Sequence, residues 1–304
     1  MKKFLITALL AATSTSSLLA QKEVRAFIMT PKDTFGGLIK SANEKKFIWR
    51  ESDKTTRSQS QSIATSTVYF FQPPELTEAL ELYKSRKYQE AAEKLSAVAA
   101  SYKKIEGMKG NPSSLAYFYQ MECYRKLENL EKLSELSGKF RPQFLLREDF
   151  KTQQEIYSVF WEAVRTKGWD RIVSIANDDK WRKRKLPGNL RAQIAYCEGL
   201  AYEGLKQPIK ALNAYNNAFV ADFAASEEIT RKSATNCLRI IYDHPDVKTT
   251  IKLYPTDDYS DNMNGALLIK EGIGLLKLWD QILGAGQPAP KKYQTLLKYP
   301  PKKS

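Results

Sequence analysis

The strongest constraint on this chain is a pattern that recurs at intervals of 39 to 42 residues. The segments Lys87–Ala91, Asn129–Leu133, Gly168–Ile172, Gln207–Ala211 and Asp246–Thr250 each read as a short turn between two amphipathic helical stretches, with successive offsets of 42, 39, 39 and 39 residues. One helical hairpin cannot bury its apolar face alone, so hairpins repeated at a fixed period stack on their neighbours and share a core. The pattern predicts a mainly α chain, a solenoid of about five hairpins, one for each of these segments. An irregular helical bundle with accidental periodicity is the competing architecture.

In the clearest copy, Gly199 and Tyr202 stand three apart on a first helix, and Ala211, Tyr215 and Ala218 give a small–aromatic–small spacing on a second. Ala79 and Leu82, followed by Ala91, Leu95 and Val98, repeat the arrangement. Small residues let paired helices approach closely, and aromatic rings fill the space between turns. On these residues the chain resembles a tetratricopeptide-repeat (TPR-like) protein over roughly residues 75–255. Each copy exceeds the usual repeat of about 34 residues, which places the surplus in loops such as 107–112 and 178–187. The resemblance implies a concave groove lined by the first helices. Its candidate partner-binding residues are Tyr83, Lys84, Phe118, Glu122, Arg125, Tyr157, Trp161, Arg165, Tyr196 and Glu203. Aromatic side chains flanked by cations suit an extended peptide with acidic or apolar side chains. Phe118 and Trp161 read equally well as core between repeats. At the places where some repeats of the family grip a C-terminal carboxylate with Lys, Asn and Arg, this chain has Leu76, Leu80 and Phe118, which argues against chaperone-tail binding.

The flanks read differently. Residues 1–20 begin Met1-Lys2-Lys3, continue through an apolar run from Phe4 to Ala12 and end at Ala20, the pattern of a secretory signal peptide with an apolar run too short to span a bilayer. No cysteine follows it before Cys123, so a lipid-anchor acceptor is missing. The expected location is the bacterial periplasm or the exterior. Residues 21–73 hold short β-branched and aromatic runs, 24–29, 37–40, 46–50 and 67–71, separated by turn residues and a polar stretch at 55–66. These predict a small antiparallel sheet of four or five strands. The runs 33–39 and 46–49 resemble an SH3-like or Sm-like small β-barrel; the other reading is an irregular β extension capping the first repeat. Residues 74–260 carry the repeats. Within 261–304, Asn264–Leu283 reads as an amphipathic capping helix with Leu267, Leu268, Ile273, Leu276 and Trp279 for burial, closed by Gly284-Ala285-Gly286, and the Pro- and Lys-rich tail is expected to fray beyond Leu297.

No catalytic motif emerges. There is no phosphate-cradling glycine loop and no nucleophile with a neighbouring base, and the single histidine, His244, stands before Pro245 as a helix cap. The only enzymatic form worth weighing is a glycan lyase or transglycosylase using Glu198 or Glu203 as an acid, and its flanking motif is missing. Cys123, Cys197 and Cys237, with no short spacing, read as buried packing residues, with one disulfide as the alternative. No catalytic, cofactor or metal site is expected.

The net charge is +14, or +12 without Lys2 and Lys3. An exported chain has little use for nucleic acid, so a cationic surface points to an acidic protein, an anionic glycan or a membrane surface, or simply to solubility. The densest cluster is Lys180, Trp181, Arg182, Lys183, Arg184 and Lys185. It reads either as an anion-binding patch or as a solvated loop after a helix end. The leading functional expectation is an exported, non-enzymatic adaptor or scaffold working through protein–protein contact in the bacterial envelope. The alternative is a basic envelope protein that binds or modifies anionic polysaccharide, or binds the membrane surface. Oligomeric state is not legible.

Overall fold

The computed structural model describes residues 21–221, 227–284 and 287–302. The expected signal peptide, and most of the Gly284–Gly286 terminator, lie outside them. The chain is mainly helical with a small five-stranded antiparallel sheet near its N-terminal end. It divides into two compact units at Gln120/Met121.

The first unit opens with β1 (Val24–Met29), β2 (Thr34–Ala42), β3 (Lys46–Arg50), β4 (Gln59–Ser62) and β5 (Thr67–Phe70), in the spatial order β4-β3-β2-β1-β5. In β1, Val24, Ala26 and Ile28 are buried while the residues between them face solvent, the period of two that a half-buried strand requires. Val24 pairs with Ile39, and Phe27 with both Gly36 and Tyr69, so the register keeps apolar side chains on one face. Glycine is required at position 37, because the Trp49 ring lies 2.6 Å from where a Cβ would stand. Four strands coincide with the β-branched runs. The fifth, β4, is Gln-Ser-Gln-Ser inside the polar stretch expected only to separate strands. It is a strand because β3 offers a free edge with which it pairs from Lys46↔Ser62 to Trp49↔Gln59. Helices α1 (Pro74–Lys84) and α2 (Tyr88–Ser101) follow, then α3 (Pro112–Lys126), within which the units divide. Lys22 N–H bonds to the Ser101 carbonyl at 2.9 Å, and both Lys22 and Tyr102 reach the Glu75 carboxylate, at 2.6 and 2.9 Å, tying the sheet to the first hairpin.

The second unit continues with α4 (Leu130–Lys139), α5 (Glu148–Ile156), a π-type turn at Tyr157–Trp161 leading into α6 (Glu162–Arg165), and α7 (Trp169–Asn177). Then come α8 (Asp179–Arg182), α9 (Gly188–Gly204), α10 (Pro208–Ala221), α11 (Glu227–Asp243), α12 (Pro245–Leu253), α13 (Asn264–Leu278) and α14 (Lys291–Gln294). Several helices pack on the next long one in sequence: α7 on α9, α9 on α10, α10 on α11, and α12 on α13.

The connections carry a recurring backbone device. Arg86, Glu128, Lys167 and Lys206 all have positive φ, between 56° and 62°, each two residues before the next helix. At each, the residue itself bonds back three residues and its successor five, as in Arg86 N–H to Tyr83, Lys87 to Leu82, Lys206 to Glu203 and Gln207 to Tyr202. This is a Schellman closure, here formed without glycine. The last residue of every recurring segment, Ala91, Leu133, Ile172, Ala211 and Thr250, is buried. The fifth connection differs from expectation. Pro245 starts α12 two residues before Val247, after His244, whose Nδ1 accepts the Asp246 N–H at 3.2 Å. Proline at the first helical position needs no hydrogen-bond partner, which lets the turn tighten there.

Two expectations at the C-terminal end are corrected. Leu267 faces solvent while Ile269 is buried. The tail is packed through Lys302 rather than frayed beyond Leu297: Tyr293 and Leu296 are buried, Tyr254 Oη donates to the Pro300 carbonyl at 2.8 Å, and Lys302 N–H reaches Asp261 at 3.1 Å. Among the described residues, no helix is long and apolar enough to cross a membrane.

Candidate functional site

The groove residues expected from the sequence fall in both units, and most of them are buried. Tyr83, Lys84 and Phe118 belong to the first unit. Lys84 is exposed and paired with Glu81 at 2.7 Å, Tyr83 is half-buried against Tyr119 with ring centroids 5.1 Å apart, and Phe118 is buried. In the second unit Glu122, Arg125, Tyr157, Trp161 and Tyr196 are buried, so with Phe118 these side chains serve packing and an interior polar network, a correction to the reading of an open groove. Arg125 Nη2 lies 3.2 Å from Glu122, and the Tyr157 hydroxyl donates to the same carboxylate. Trp161 Nε1 donates to Gln193 Oε1 at 3.0 Å, and Gln193 and Gln153 exchange amide bonds at 2.7 and 2.8 Å. Burial pushes the Glu122 carboxyl up, but the Arg125 and Lys126 charges outweigh it and hold the group below the usual carboxylate range. Arg165 is spent on Glu162 at 2.6 Å. Glu203 is held by Arg239 and by the Tyr215 hydroxyl, each at 2.6 Å.

The basic cluster has a different geometry from the one its sequence suggests. Asp178 caps α8 by accepting the Lys180 N–H at 2.8 Å. That turn drives Trp181 inward, where its ring meets Phe160 edge-on with centroids 5.0 Å apart, so Trp181 is buried rather than displayed among the cations. Arg184 crosses the Trp181 ring at 5.4 Å and reaches both Glu155, at 2.6 Å, and Thr152, at 2.8 Å. Lys180 also pairs with Glu155, at 2.7 Å, and Lys183 with Asp179, at 2.5 Å. Burial pushes the Glu155 carboxyl up, and the bonds from Lys180 and Arg184 more than reverse this, holding it below the usual carboxylate range.

What remains of the cluster converges with α9. Arg191, Ile194, Ala195 and Glu198 fall at i, i+3, i+4 and i+7, one stripe of a helix. With Trp181, Arg182, Arg184 and Leu186 on one side and Asn217, Val220 and Ala221 on the other, they line a cleft of about 490 Å³. Arg182 and Arg191 are exposed and make no side-chain ion pair among the described residues, while Arg184 is fixed in place by Glu155. Leu186, Ile194 and Val220 supply an apolar wall, on which Val220 is 72% exposed. Burial alone pushes the Glu198 carboxyl up. The cleft can receive an anionic group on planar guanidinium donors and an apolar group beside it.

Arg191, Leu186, Ile194, Asn217 and Val220 escape a reading of the sequence. Their one local signal, the spacing of Arg191, Ile194 and Glu198 on α9, is masked by the small-residue pattern of the same helix. Cys123, Cys197 and Cys237 are buried and free, and burial pushes the Cys123 thiol up to about 12. Comparison with family models, with curated protein sequences and with solved structures returns no match.

Proposed function

We propose that the protein is an exported, non-enzymatic adaptor of the TPR-like class, and that its second unit binds an acidic peptide segment of another protein in the cleft between α8, α9 and α10. The observation that carries this reading is the convergence of Arg182, Arg184 and Arg191 on an apolar-walled cleft. Guanidinium groups form bidentate bonds with carboxylates, and an adjoining apolar surface selects a peptide with mixed acidic and hydrophobic side chains over a simple anion. Arg184 adds preorganisation, because its bond to Glu155 removes rotamer freedom before a ligand arrives.

The TPR-like reading is supported by four Schellman connections at the sequence period and by Gly199 backed against Tyr215. The small-barrel reading of residues 21–73 is supported by the strand order, a four-strand meander with β5 returning to pair with β1.

The test is fluorescence anisotropy with a labelled peptide alternating Asp or Glu with Leu, against its Asn/Gln counterpart and an anionic oligosaccharide. The acidic peptide should bind, Arg191→Glu should weaken it by at least about tenfold, and Arg165→Glu, outside the cleft, should change little. Binding of the oligosaccharide alone would favour an anionic-polysaccharide receptor, and equal affinity for the neutral peptide would overturn the assignment of the arginines.

A further inference from the structure

The sheet of the first unit turns an unusual face to solvent. Because Val24, Ala26 and Ile28 point into the core, Arg25, Phe27 and Met29 project outward, and pairing places Tyr69 beside Phe27. Phe71 N–H bonds to the Arg25 carbonyl, and the Phe71 and Phe27 rings lie 5.1 Å apart. Across β1 from Tyr69, Gly36 stands opposite Phe27 with open space where a side chain would be. Phe27 is 49% exposed, Met29 43%, Tyr69 56% and Phe71 45%, so four large apolar side chains are half in water on two adjacent strands. Ile48 on β3 is exposed on the same side of the sheet, separated from this group by the Arg25–Leu38–Arg50 row. Scattered apolar residues need no explanation, but a contiguous aromatic group on one face does.

Cations outnumber acids around this face. Arg25 lies within it and Lys46 lies on the outward side of β3 beside Ile48, both exposed and, among the described residues, without an ion pair. Glu23, the carboxylate at the head of β1, is neutralised by Arg50 at 2.6 Å. Asp33, Glu44, Glu51 and Asp53 sit in turns and connections. Residues 21–73 carry nine cations against five acids.

From this juxtaposition we propose that the outward face of β1 and β5 docks on an anionic phospholipid bilayer. Phe27, Met29, Tyr69 and Phe71 enter the interfacial region, and Arg25 and Lys46 meet headgroup phosphates. Aromatic side chains favour that depth, and one shallow apolar patch gives only reversible binding unless cations add a second contribution, which this face supplies. The complementarity selects the bilayer over a second copy of the chain, since a two-fold contact through this face would bring the same cations together. The proposal is independent of the peptide cleft, which lies in the other unit.

The experiment is co-sedimentation of residues 21–304, which contain the whole described structure, with vesicles of phosphatidylcholine alone and of phosphatidylcholine with phosphatidylglycerol in equal parts. Wild type should bind the anionic vesicles and not the neutral ones. The triple variant F27S/Y69S/F71S, its fold checked by circular dichroism, should bind about tenfold or more weakly at the same salt, each ring being worth up to that factor if fully inserted. R25E/K46E should lose binding to a similar extent. Undiminished binding by the serine variant would overturn the proposal, as would a wild-type dimer that the same substitutions dissociate in the absence of vesicle binding. Loss of peptide binding in the R191E variant leaves vesicle binding unchanged if the two sites are separate.

Discussion

Replacing Gly199 with alanine should destabilise the second unit, although the same change at Gly274 should stabilise it. Both positions lie inside helices, α9 and α13, where alanine is favoured over glycine by roughly 0.8–1 kcal/mol. Gly274 is exposed, and a methyl group there meets nothing within 4 Å, so the full helical gain should appear. At Gly199 the added carbon would fall 2.4, 2.5 and 2.8 Å from three atoms of the Tyr215 ring. Ordinary carbon contacts are about 3.5–4.0 Å, an overlap of roughly 1 Å. The ring has nowhere to retreat. It is fully buried, packs against Tyr196 with centroids 5.6 Å apart, and its hydroxyl is held by Glu203, which Arg239 grips in turn. Overpacking costs roughly 1–3 kcal/mol, so after the helical gain a net loss of up to about 2 kcal/mol remains. Urea unfolding followed by circular dichroism should move the midpoint of the second unit's transition in opposite directions for the two variants. A Gly199→Ala protein stabilised as much as the Gly274→Ala protein would refute the close-approach argument and the pairing of α9 with α10 on which it rests.

Lys167, at φ 56°, should be stabilised by up to about 1 kcal/mol on replacement with glycine and destabilised by valine, measurable as opposite shifts in Tm. Glu122→Gln should cost roughly 1–3 kcal/mol, because it removes the nearer of the two carboxylates facing buried Arg125 and leaves only Glu228, at 3.9 Å; a variant as stable as wild type would mean that Glu228 or a rearranged partner suffices for the guanidinium. Glu155 has a depressed folded pKa, so its contribution to stability is present above the ordinary value of 4.5 and is lost as pH falls below it. Thermal melts between pH 7 and pH 3 should therefore show a smaller acid-induced drop in Tm for Glu155→Gln than for wild type, and parallel drops would remove Glu155 from the account.

What the amino-acid sequence determined by itself is the set of features generated within a few residues of chain. Alternation placed β1 at Val24–Met29 and β3 at Lys46–Arg50, and the recurring segments marked the starts of α2, α4, α7 and α10, because period and turn chemistry are properties of the local backbone. The His244 cap belongs to the same class, since donor and acceptor are two residues apart. Tertiary structure alone decided which face of each helix is covered. Tyr157 and Trp161 look like ligands for a groove until Glu122 and Gln193, each more than thirty positions away, occupy their polar atoms. Likewise β4 has no strand signal of its own and exists through the edge of β3, and the C-terminal tail is ordered through Tyr254 and Asp261. The cleft is the clearest case. The cations at 180–185 stood out by density, yet three of the five are paired with Glu155 or Asp179, and the arginine that completes the site comes from the next long helix. Charge density is a property of the chain, whereas the convergence of charges and the removal of some by pairing depend on contacts between residues that only packing brings together.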